Sequence, residues 1–235
     1  MNLVINTIDK TIDLNAKNIL LCGDNAKEET VKFLAACAKY EESSDVFLFD
    51  FEGDFEDYKS SNKSNLYIIP KSSDNPIGTS FRKIEKLEAC IKNRLKRLQE
   101  GKYISIEKYN EANPDKKFKN KIYVLYCAKL NKDSRRLLNE CIQFGIKVGI
   151  TIVLVLKEET DTICVELKNR ISTIIYCGGL DRKDVIRILG NNIEDDKAYI
   201  KHNDNIPNLI PLYRISYHDV TRELIDSLLY KRLED

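Results

Sequence analysis

The sequence lacks any apolar run that approaches the ~20 residues needed by a membrane-spanning helix. It also lacks an excess of charge of one sign, because 38 basic residues are balanced by 37 acidic ones and the net charge is +1. Its first residues, MNLVINTIDK, do not have the pattern of a signal peptide. We therefore expect no membrane segment within this chain, and no overall positive field that would attract nucleic acid.

Paired cysteines and metal-ligand spacings are missing as well. The seven cysteines form no C-x-x-C pair, and most of them fall in apolar stretches. This is typical of reduced core cysteines in a cytosolic protein. The two histidines, His202 and His218, are not set among cysteines and carboxylates at metal-ligand spacing. The sequence therefore predicts neither a disulfide framework nor a metal site.

Short apolar runs alternate with helical patterns along most of the chain. With 235 residues, of which 43% are hydrophobic, the chain is long enough to bury a large core. Strands are predicted at 19–22, 46–50, 66–69, 122–127, 150–156 and 173–177. Helices are predicted after Gly23, at 79–99, from near 105, and at 132–144, 161–169 and 181–189. This alternation predicts an α/β fold, a three-layer sandwich with a mainly parallel sheet.

The two ends of the chain have a different pattern. Residues 1–14 contain two short strand patterns, LVINTI and TIDL, which predict an N-terminal hairpin. Near the other end, 198–201 and 208–215 are predicted edge strands, and a final helix is predicted to start at Ser216. Its apolar stripe (Leu224, Ile225, Leu228 and Leu229) either docks on the body of the domain or faces a partner. We predict one domain, with its core at about 16–190 and the C-terminal strands and helix at about 197–235.

The stretch from Asn18 to Tyr40 has the outline of a phosphate-binding strand, loop and helix, without the usual residues. Aligned with the Walker A pattern G-x-x-x-x-G-K-[ST], Gly23 takes the first glycine, Glu28 the second, Glu29 the lysine and Thr30 the hydroxyl. The two carboxylates stand where a phosphate needs close backbone approach and positive charge. The alternative interpretation is an ordinary loop before a helix, in which Glu28 and Glu29 favour the helix dipole.

The order of segments resembles the motor domain of the FtsK/SpoIIIE family of P-loop ATPases. The stretch VFLFDFEGDFEDY resembles the family's second strand and the loop that follows it, since Asp50, Gly53, Phe55 and Tyr58 fit while Glu52 replaces a lysine. Further matching positions are Tyr109 and Asn110 in a loop after the long helix, and Asn169, Arg170, Asp181 and Arg182 near a later strand.

The catalytic positions of that family are replaced throughout. Cys127 and Ala128 stand at the Walker B Asp-Glu pair, which holds Mg²⁺ and orients water in the family. Val155, Leu156 and Lys157 replace the polar sensor. The resemblance therefore implies a RecA-like P-loop fold with no catalytic residues, no cofactor and no metal. Nucleotide binding without hydrolysis stays open as an alternative, if an adenine site survives.

Within the family, the chain is most similar to the third, C-terminal ATPase-like domain of type VII secretion motors, the EssC/EccC proteins of Gram-positive bacteria. This implies a cytoplasmic domain of a longer, membrane-anchored chain. It also implies that the partners are secreted helical substrate proteins and adjacent ATPase domains of the same motor.

Two other functions remain open from the residues. A DNA-handling accessory of a conjugation or partition motor would use basic residues on the long helix (Lys83, Lys86, Lys92, Arg94, Lys96 and Arg97) and the loop lysines (Lys116, Lys117, Lys119 and Lys121). Interleaved glutamates favour a solvated helix face instead, so nucleic acid is not the expected partner. An enzyme of another chemistry would use paired carboxylates, Asp50 with Glu52 or Asp54 with Glu56. These carboxylates have no accompanying base or nucleophile and fit polar turn residues better.

Overall fold

A computed structural model describes most of the chain. The described residues are 4–6, 11–13, 17–40, 44–60, 65–71, 76–127, 130–156, 167, 170–179, 181–189, 198–202, 210–212, 216–217 and 222–231. Several predicted features lie outside this set: Ala128, Lys157, Asn169, His218 and nearly all of the predicted helix at 161–169.

The described residues form three sheets, with helices between the strands. The strands are β1 (Val4–Asn6), β2 (Thr11–Asp13), β3 (Ile19–Cys22), β4 (Ser44–Asp50), β5 (Tyr58–Ser60), β6 (Leu66–Ile69), β7 (Asn120–Tyr126), β8 (Ile150–Leu156), β9 (Thr173–Tyr176), β10 (Ala198–His202), β11 (Ile210–Leu212), β12 (Ser216–Tyr217) and β13 (Leu229–Lys231). The helices are α1 (Ala26–Tyr40), α2 (Pro76–Glu100), α3 (Ile106–Ala112), α4 (Lys132–Gly145), α5 (Arg182–Leu189) and α6 (Arg222–Leu228). Short 3-10 turns cover Pro114–Lys116 and Ile146–Val148.

The main sheet has eight strands in the order β11-β10-β9-β3-β8-β7-β4-β6. Six of them, from β9 to β6, are parallel to their neighbours. Strands β10 and β11 add to one side in antiparallel orientation. This confirms the predicted mainly parallel sheet and is consistent with the RecA-like P-loop fold. Pro211 lies in the outermost strand, β11, where its missing N–H is tolerated.

Both faces of the sheet are covered, which explains the near-continuous apolar runs in strands such as β3 and β8. In β7, Val124 and Tyr126 belong to the core under α1, whereas Tyr123 and Leu125 belong to the core on the opposite face, with α2 and α4. Helix α1 buries Val31, Leu34, Ala35 and Ala38. Helix α2 buries Ile84, Leu87, Ile91 and Leu98, while its Phe81 and Leu95 are half-buried. The three-layer prediction is therefore confirmed.

The N-terminal hairpin is confirmed, but it belongs to a separate small sheet. Strands β1 and β2 are antiparallel, with Ile5 opposite Ile12. The other neighbour of β1 is β12, whose Tyr217 lies opposite Ile5.

The predicted start of the final helix at Ser216 is wrong. Ser216 and Tyr217 form a strand with β1, because long-range pairing overrides the local capping signal, and the helix begins at Arg222. Leu229, placed in that helix by its periodicity, begins β13, which pairs with β5. Of the two alternatives for this helix, the structure favours docking on the body, since Ile225 packs against the core on the α1 side. In the described part of the chain, no helix is both long and apolar enough to cross a bilayer.

Candidate functional site

The candidate site lies at the edge where the parallel strands end, since ligands of open α/β sheets bind outside the carboxyl ends of the strands. Strand β3, which is central in the sheet between β8 and β9, ends here at Cys22. Strand β4 ends here at Asp50 and β7 at Tyr126, and both strands are in parallel register with their neighbours. The predicted Walker A and Walker B segments therefore meet at one edge.

The loop after β3 is short and lies directly on the turn after β9. Helix α1 begins at Ala26, so only residues 23–25 connect it to the strand. Gly23 has a φ of +118°, and a Cβ there would lie 2.3 Å from the carbonyl oxygen of Gly178. The Asp24 N–H donates to that same oxygen at 2.9 Å. Close contact with Gly178 thus explains why position 23 needs a glycine.

Backbone N–H groups of this loop donate within the protein. The Gly23 N–H donates to the Leu156 carbonyl at 3.1 Å, and the Ala26 N–H donates to the Gly23 carbonyl at 3.0 Å. The Asn25 side-chain amide donates to the Cys177 carbonyl at 3.1 Å. In a phosphate-binding loop, N–H groups at this position point towards the anion. Here the loop is instead fastened to the ends of β8 and β9.

The remaining predicted Walker A positions, Glu28, Glu29 and Thr30, lie inside α1 rather than in a loop. Lys32 forms ion pairs with Glu28 at 2.9 Å and with Glu29 at 2.6 Å. Burial lowers the pKa of Lys32, but its bonds to the two glutamates outweigh burial, and the net pKa is raised above its ordinary value. The glutamates occupy the first turn of the helix, where the dipole favours negative charge.

The Thr30 hydroxyl has an intrahelical partner. Its Oγ1 donates to the Ala26 carbonyl at 2.7 Å, and the residue has no exposed surface. In an active Walker A motif the corresponding hydroxyl binds Mg²⁺. In this structure the Thr30 hydroxyl therefore bonds within helix α1, in place of a contact with a metal ion.

The Walker B position Cys127 follows β7 and is 1% exposed. Its N–H donates to the Val155 carbonyl at 3.1 Å, which continues the ladder between β7 and β8. Burial raises the pKa of the Cys127 thiol well above its ordinary range, so the side chain is neutral at physiological pH. A neutral, buried thiol differs in charge and softness from the carboxylate that holds Mg²⁺ in P-loop enzymes.

Asp50 organises the loop after β4. It is fully buried, and its carboxylate accepts from the N–H groups of Glu52 at 3.1 Å, Gly53 at 2.9 Å and Phe55 at 2.9 Å. Three backbone donors on one carboxylate stabilise a tight turn. Gly53 adopts a φ of +87° within that turn. This geometry favours the interpretation of Asp50 as a turn residue over that of a reacting carboxylate.

Sequence reasoning missed the bond between Tyr126 and Asp54. The Tyr126 hydroxyl donates to Asp54 Oδ2 at 2.6 Å, and Phe55 packs edge-on against the Tyr126 ring at 4.9 Å between centroids. Burial, and then the bond to Asp54, raise the pKa of Tyr126 above its ordinary value. The available signal was a tyrosine within the predicted buried strand at 122–127, because a buried tyrosine hydroxyl needs a partner. Its partner was not predictable from spacing.

The positions that match the family outside the candidate site have structural contacts, and Tyr109 and Asn110 lie in helix α3 rather than in the predicted loop. Asn110 brackets Phe118, donating to its carbonyl at 2.9 Å and accepting from its N–H at 2.8 Å, and Tyr109 stacks on the Phe118 ring at 5.0 Å. Asp181 accepts from the Lys183 N–H at 2.7 Å at the start of α5. Arg170 lies at the opposite edge of the sheet, beside the start of β9. Among the positions that match the family, those in the loop after β4, such as Gly53 and Phe55, therefore lie at the candidate site. Arg170 does not.

The basic residues of α2 do not form one cationic face. Arg94 is 4% exposed and donates to the Val148 and Lys119 carbonyls, both at 2.7 Å, so the prediction that included it in an exposed basic stretch is wrong. Lys92 pairs with Glu88 at 2.7 Å. Lys83 is half-buried over the Phe51 ring, and burial lowers its pKa.

No protein-family model and no curated protein matches the sequence. Solved structures do match the fold. The cytoplasmic domain of the type VII secretion ATPase EccC of Thermomonospora curvata superposes with a TM-score of 0.74 at 17% identity, covering 96% of this chain and 30% of that one. A second structure of EccC, ATPases 2 and 3 in complex with a signal sequence peptide, has a TM-score of 0.63 at 12% identity, covering 97% of this chain and 46% of that one.

Two further proteins share the fold. EssC (ATPases 2 and 3) of Geobacillus thermodenitrificans matches with a TM-score of 0.67 at 17% identity, covering 96% of this chain and 46% of that one. The pCW3 conjugation coupling protein TcpA, solved as a monomer with ATPγS, matches with a TM-score of 0.68 at 15% identity, covering 92% and 66%. This chain thus spans 66% or less of the length of each of these matched chains. It has the α/β P-loop ATPase fold found in the EccC and EssC structures and in TcpA.

Proposed function

We propose that this chain is a non-hydrolysing ATPase-like domain of a type VII secretion motor that works in the cytoplasm by binding proteins. Its partners are secreted helical substrates or adjacent ATPase domains of the same motor. Support comes from the shared fold with EccC and EssC, and from the signal sequence peptide bound in one of the EccC structures. The replaced residues at the nucleotide edge of the sheet support the absence of hydrolysis.

The observation that carries the proposal is the closed loop between β3 and α1. Gly23 and Asp24 donate their N–H groups to Leu156 and Gly178. Admitting a phosphate would break at least these two bonds. It would also bring the anion towards Glu28 and Glu29, whose two negative charges are offset only by the single positive charge of Lys32. Both costs oppose nucleotide binding.

The decisive test is nucleotide binding to the whole 235-residue chain. We expect millimolar ATP with Mg²⁺ to leave the unfolding temperature unchanged, and phosphate release to stay at the level of buffer. An intact P-loop ATPase domain of the same fold, measured in parallel, is the positive control. Stabilisation by several degrees, which reports ligand binding to the folded state, would contradict the proposal.

Protein binding is tested separately. Fluorescein-labelled peptides from the C-terminal tails of secreted helical substrates are titrated with the chain, and fluorescence anisotropy is measured. We expect saturable binding that ATP does not change. Scrambled peptides of the same composition are the control, and equal binding of both peptide sets would contradict recognition of substrate.

DNA handling is the second candidate function. Lys116 and Lys117 are exposed on the loop before β7, and TcpA shares the fold. Phosphate contacts by these lysines would make log K fall linearly with log salt concentration. We expect no measurable binding to a 30-base-pair duplex at physiological salt, since Arg94 is buried and Lys92 is paired. Tight, salt-dependent binding that is lost in the Lys116→Gln, Lys117→Gln double variant would favour this second function.

A further inference from the structure

A row of stacked aromatic rings ends at the outer edge of the main sheet. Strand β6 is the last strand on this side, and among the described strands it pairs with β4 alone. The Phe47 ring stacks on Tyr123 with 4.9 Å between centroids and on Tyr67 with 5.0 Å. Tyr123 is 7% exposed, whereas Tyr67 is 46% exposed. The row therefore runs from the core to the solvent and ends at Tyr67.

The outer backbone groups of β6 belong to Leu66 and Ile68. The Val46 N–H donates to the Asn65 carbonyl at 2.9 Å, and Val46 is in register with Leu66. In a parallel pair this pattern turns the backbone groups of Asn65 and Tyr67 towards β4. The N–H and C=O groups of Leu66 and Ile68 therefore point away from β4. Such groups form a template for pairing with a further extended strand.

Strand β5 lies beside β6 on one face of the sheet. Its Tyr58 packs against the core on the α1 side, and so does Ile68 of β6. The row of rings lies on the opposite face, since Tyr123 and Phe47 belong to the core with α2 and α4. The pairing partner of β5 is β13. Strand β5 therefore approaches β6 from the α1 face and does not cover the Tyr67 ring.

The outer edge of β6 is short. The strand has four residues and is followed by Pro70, which has no N–H to donate. The Pro70 carbonyl already accepts from the Lys83 Nζ at 2.7 Å. Four residues at ~3.3 Å each span only ~13 Å. This edge therefore suits pairing with one short strand.

The edge of β6 is complementary to itself. In antiparallel pairing about a two-fold axis at Tyr67, Leu66 of each copy stands opposite Ile68 of the other. The outward N–H and C=O groups of these residues then form hydrogen bonds between the copies. The two Tyr67 residues face each other as a non-hydrogen-bonded pair, with Cβ atoms ~4.5–5.5 Å apart. This matches the ring spacing within the row, so the rows of two copies join into one stack.

We propose that the chain forms a two-fold symmetric dimer by antiparallel pairing of β6 with β6 of a second copy. The two eight-stranded sheets then become one continuous sheet. The interface lies at the outer strand rather than at the nucleotide edge, and it does not depend on whether the chain hydrolyses ATP. A four-residue edge buries less than the ~1,200 Å² of a standard stable interface, so the dimer is weak.

The test is sedimentation equilibrium of the whole chain between about 10 µM and 1 mM. We expect a reversible monomer–dimer equilibrium with a Kd on the order of 100 µM, which ATP does not change. Oligomers that keep growing with concentration would contradict the proposal, because a two-fold pairing uses up the edge of both copies. A chain that stays monomeric would also contradict it, including the case in which a strand of another protein occupies the edge.

Charge variants at Tyr67 test the two-fold axis. Tyr67→Lys and Tyr67→Glu each place two like charges opposite each other in the dimer, and we expect each to weaken association at least tenfold. Mixed in equal amounts, the two variants carry opposite charges at these positions. Association should then return to within about threefold of that of the parent chain. Such recovery requires that position 67 of one copy faces position 67 of the other.

A backbone variant and a matched control complete the test. Ile68→Pro removes an outward N–H without removing a bond to β4, and proline is tolerated in edge strands. We expect this variant to weaken association at least tenfold. Ile104→Lys adds the same charge as Tyr67→Lys on the loop after α2, where Ile104 is 90% exposed. It should change association by less than twofold.

Three results with the variants would overturn the proposal. They are unchanged association in both Tyr67 variants, a loss in both that mixing does not restore, and an equal loss in Ile104→Lys. Each variant's unfolding temperature is measured first, so that a loss of fold is not taken for a loss of the interface.

Discussion

The Tyr126 hydroxyl donates to Asp54 Oδ2 at 2.6 Å, which joins the end of β7 to the loop after β4 across 72 residues of sequence. Tyr126 is 1% exposed, and Asp54 is half-buried. The same loop is held from its other end by Asp50, which accepts three backbone N–H groups. The carboxylates of Asp50 and Asp54 thus hold the acidic loop after β4 in its conformation at this edge of the sheet.

Tyr126→Phe should lower the free energy of unfolding by about 1–3 kcal/mol, because it removes a hydrogen bond to a charged group. Urea unfolding measures the change. Asp54→Asn keeps an acceptor of the same shape and should cost less. In a double-mutant cycle the two changes should couple, since the side chains are in contact. Strict additivity of the two losses would mean that the bond contributes nothing.

Gly23→Ala should be more destabilising than Gly178→Ala. Both glycines have positive φ, +118° and +81°, but a Cβ at Gly23 would meet the Gly178 carbonyl at 2.3 Å, whereas a Cβ at Gly178 meets nothing within 4 Å. Positive φ costs a non-glycine residue of the order of 1–3 kcal/mol, and the clash adds to it at Gly23 alone. Thermal and urea unfolding compare the pair. Equal losses would argue against close packing of the loop on Gly178.

Thr30→Val should reduce stability by only about 1 kcal/mol, because it exchanges one intrahelical hydrogen bond for a methyl group of similar shape. The variant should also leave the response to ATP and Mg²⁺ unchanged. In an active P-loop enzyme the same change removes a metal contact. Urea unfolding and a nucleotide-binding assay measure the two effects. A loss of ATP binding in this variant would show that the hydroxyl reaches a nucleotide.

Asn18→Ala should destabilise the chain by about 2–4 kcal/mol. The substitution leaves both the Ile142 carbonyl and the Ile152 N–H without their side-chain partner, and each unsatisfied buried group costs about 1–3 kcal/mol. Gln143→Ala, at an exposed position of α4 next to Ile142, is the matched control. Its free energy of unfolding should stay within about 1 kcal/mol of that of the parent chain. Similar losses in both variants would show that Asn18 is not the link between α4 and β8.

Most elements of the main sheet follow from local pattern. The strands at 66–69 and 150–156 were predicted with the bounds that the structure has, and α4 differs by one residue. Apolar runs with β-branched residues can bury both faces only in a sheet that is covered on both sides. Composition and the order of the segments are therefore sufficient to predict these strands. The small pairings β1 with β12 and β5 with β13 were missed, since they join segments far apart in sequence.

The sequence predicted where the candidate site lies, but not whether its residues stand in an open loop or in a helix. The replacement of lysine by Glu29 and of aspartate by Cys127 is visible in the sequence itself. The alignment placed Glu28, Glu29 and Thr30 at the end of an open loop, whereas the helix starts earlier, at Ala26. Spacing alone cannot distinguish an open loop from the first turn of a helix, because a residue after a glycine turn fits either one.

The sequence by itself determined the alternation of buried strands and amphipathic helices, because periodicity and apolar composition act within a few residues. It also determined which side chains stand at the nucleotide edge. Only the tertiary structure decided that the loop after β3 closes onto the turn after β9, through contacts such as Asn25 with Cys177, 152 residues apart. That closure depends on two strand ends lying side by side, and no local pattern encodes which strands become neighbours.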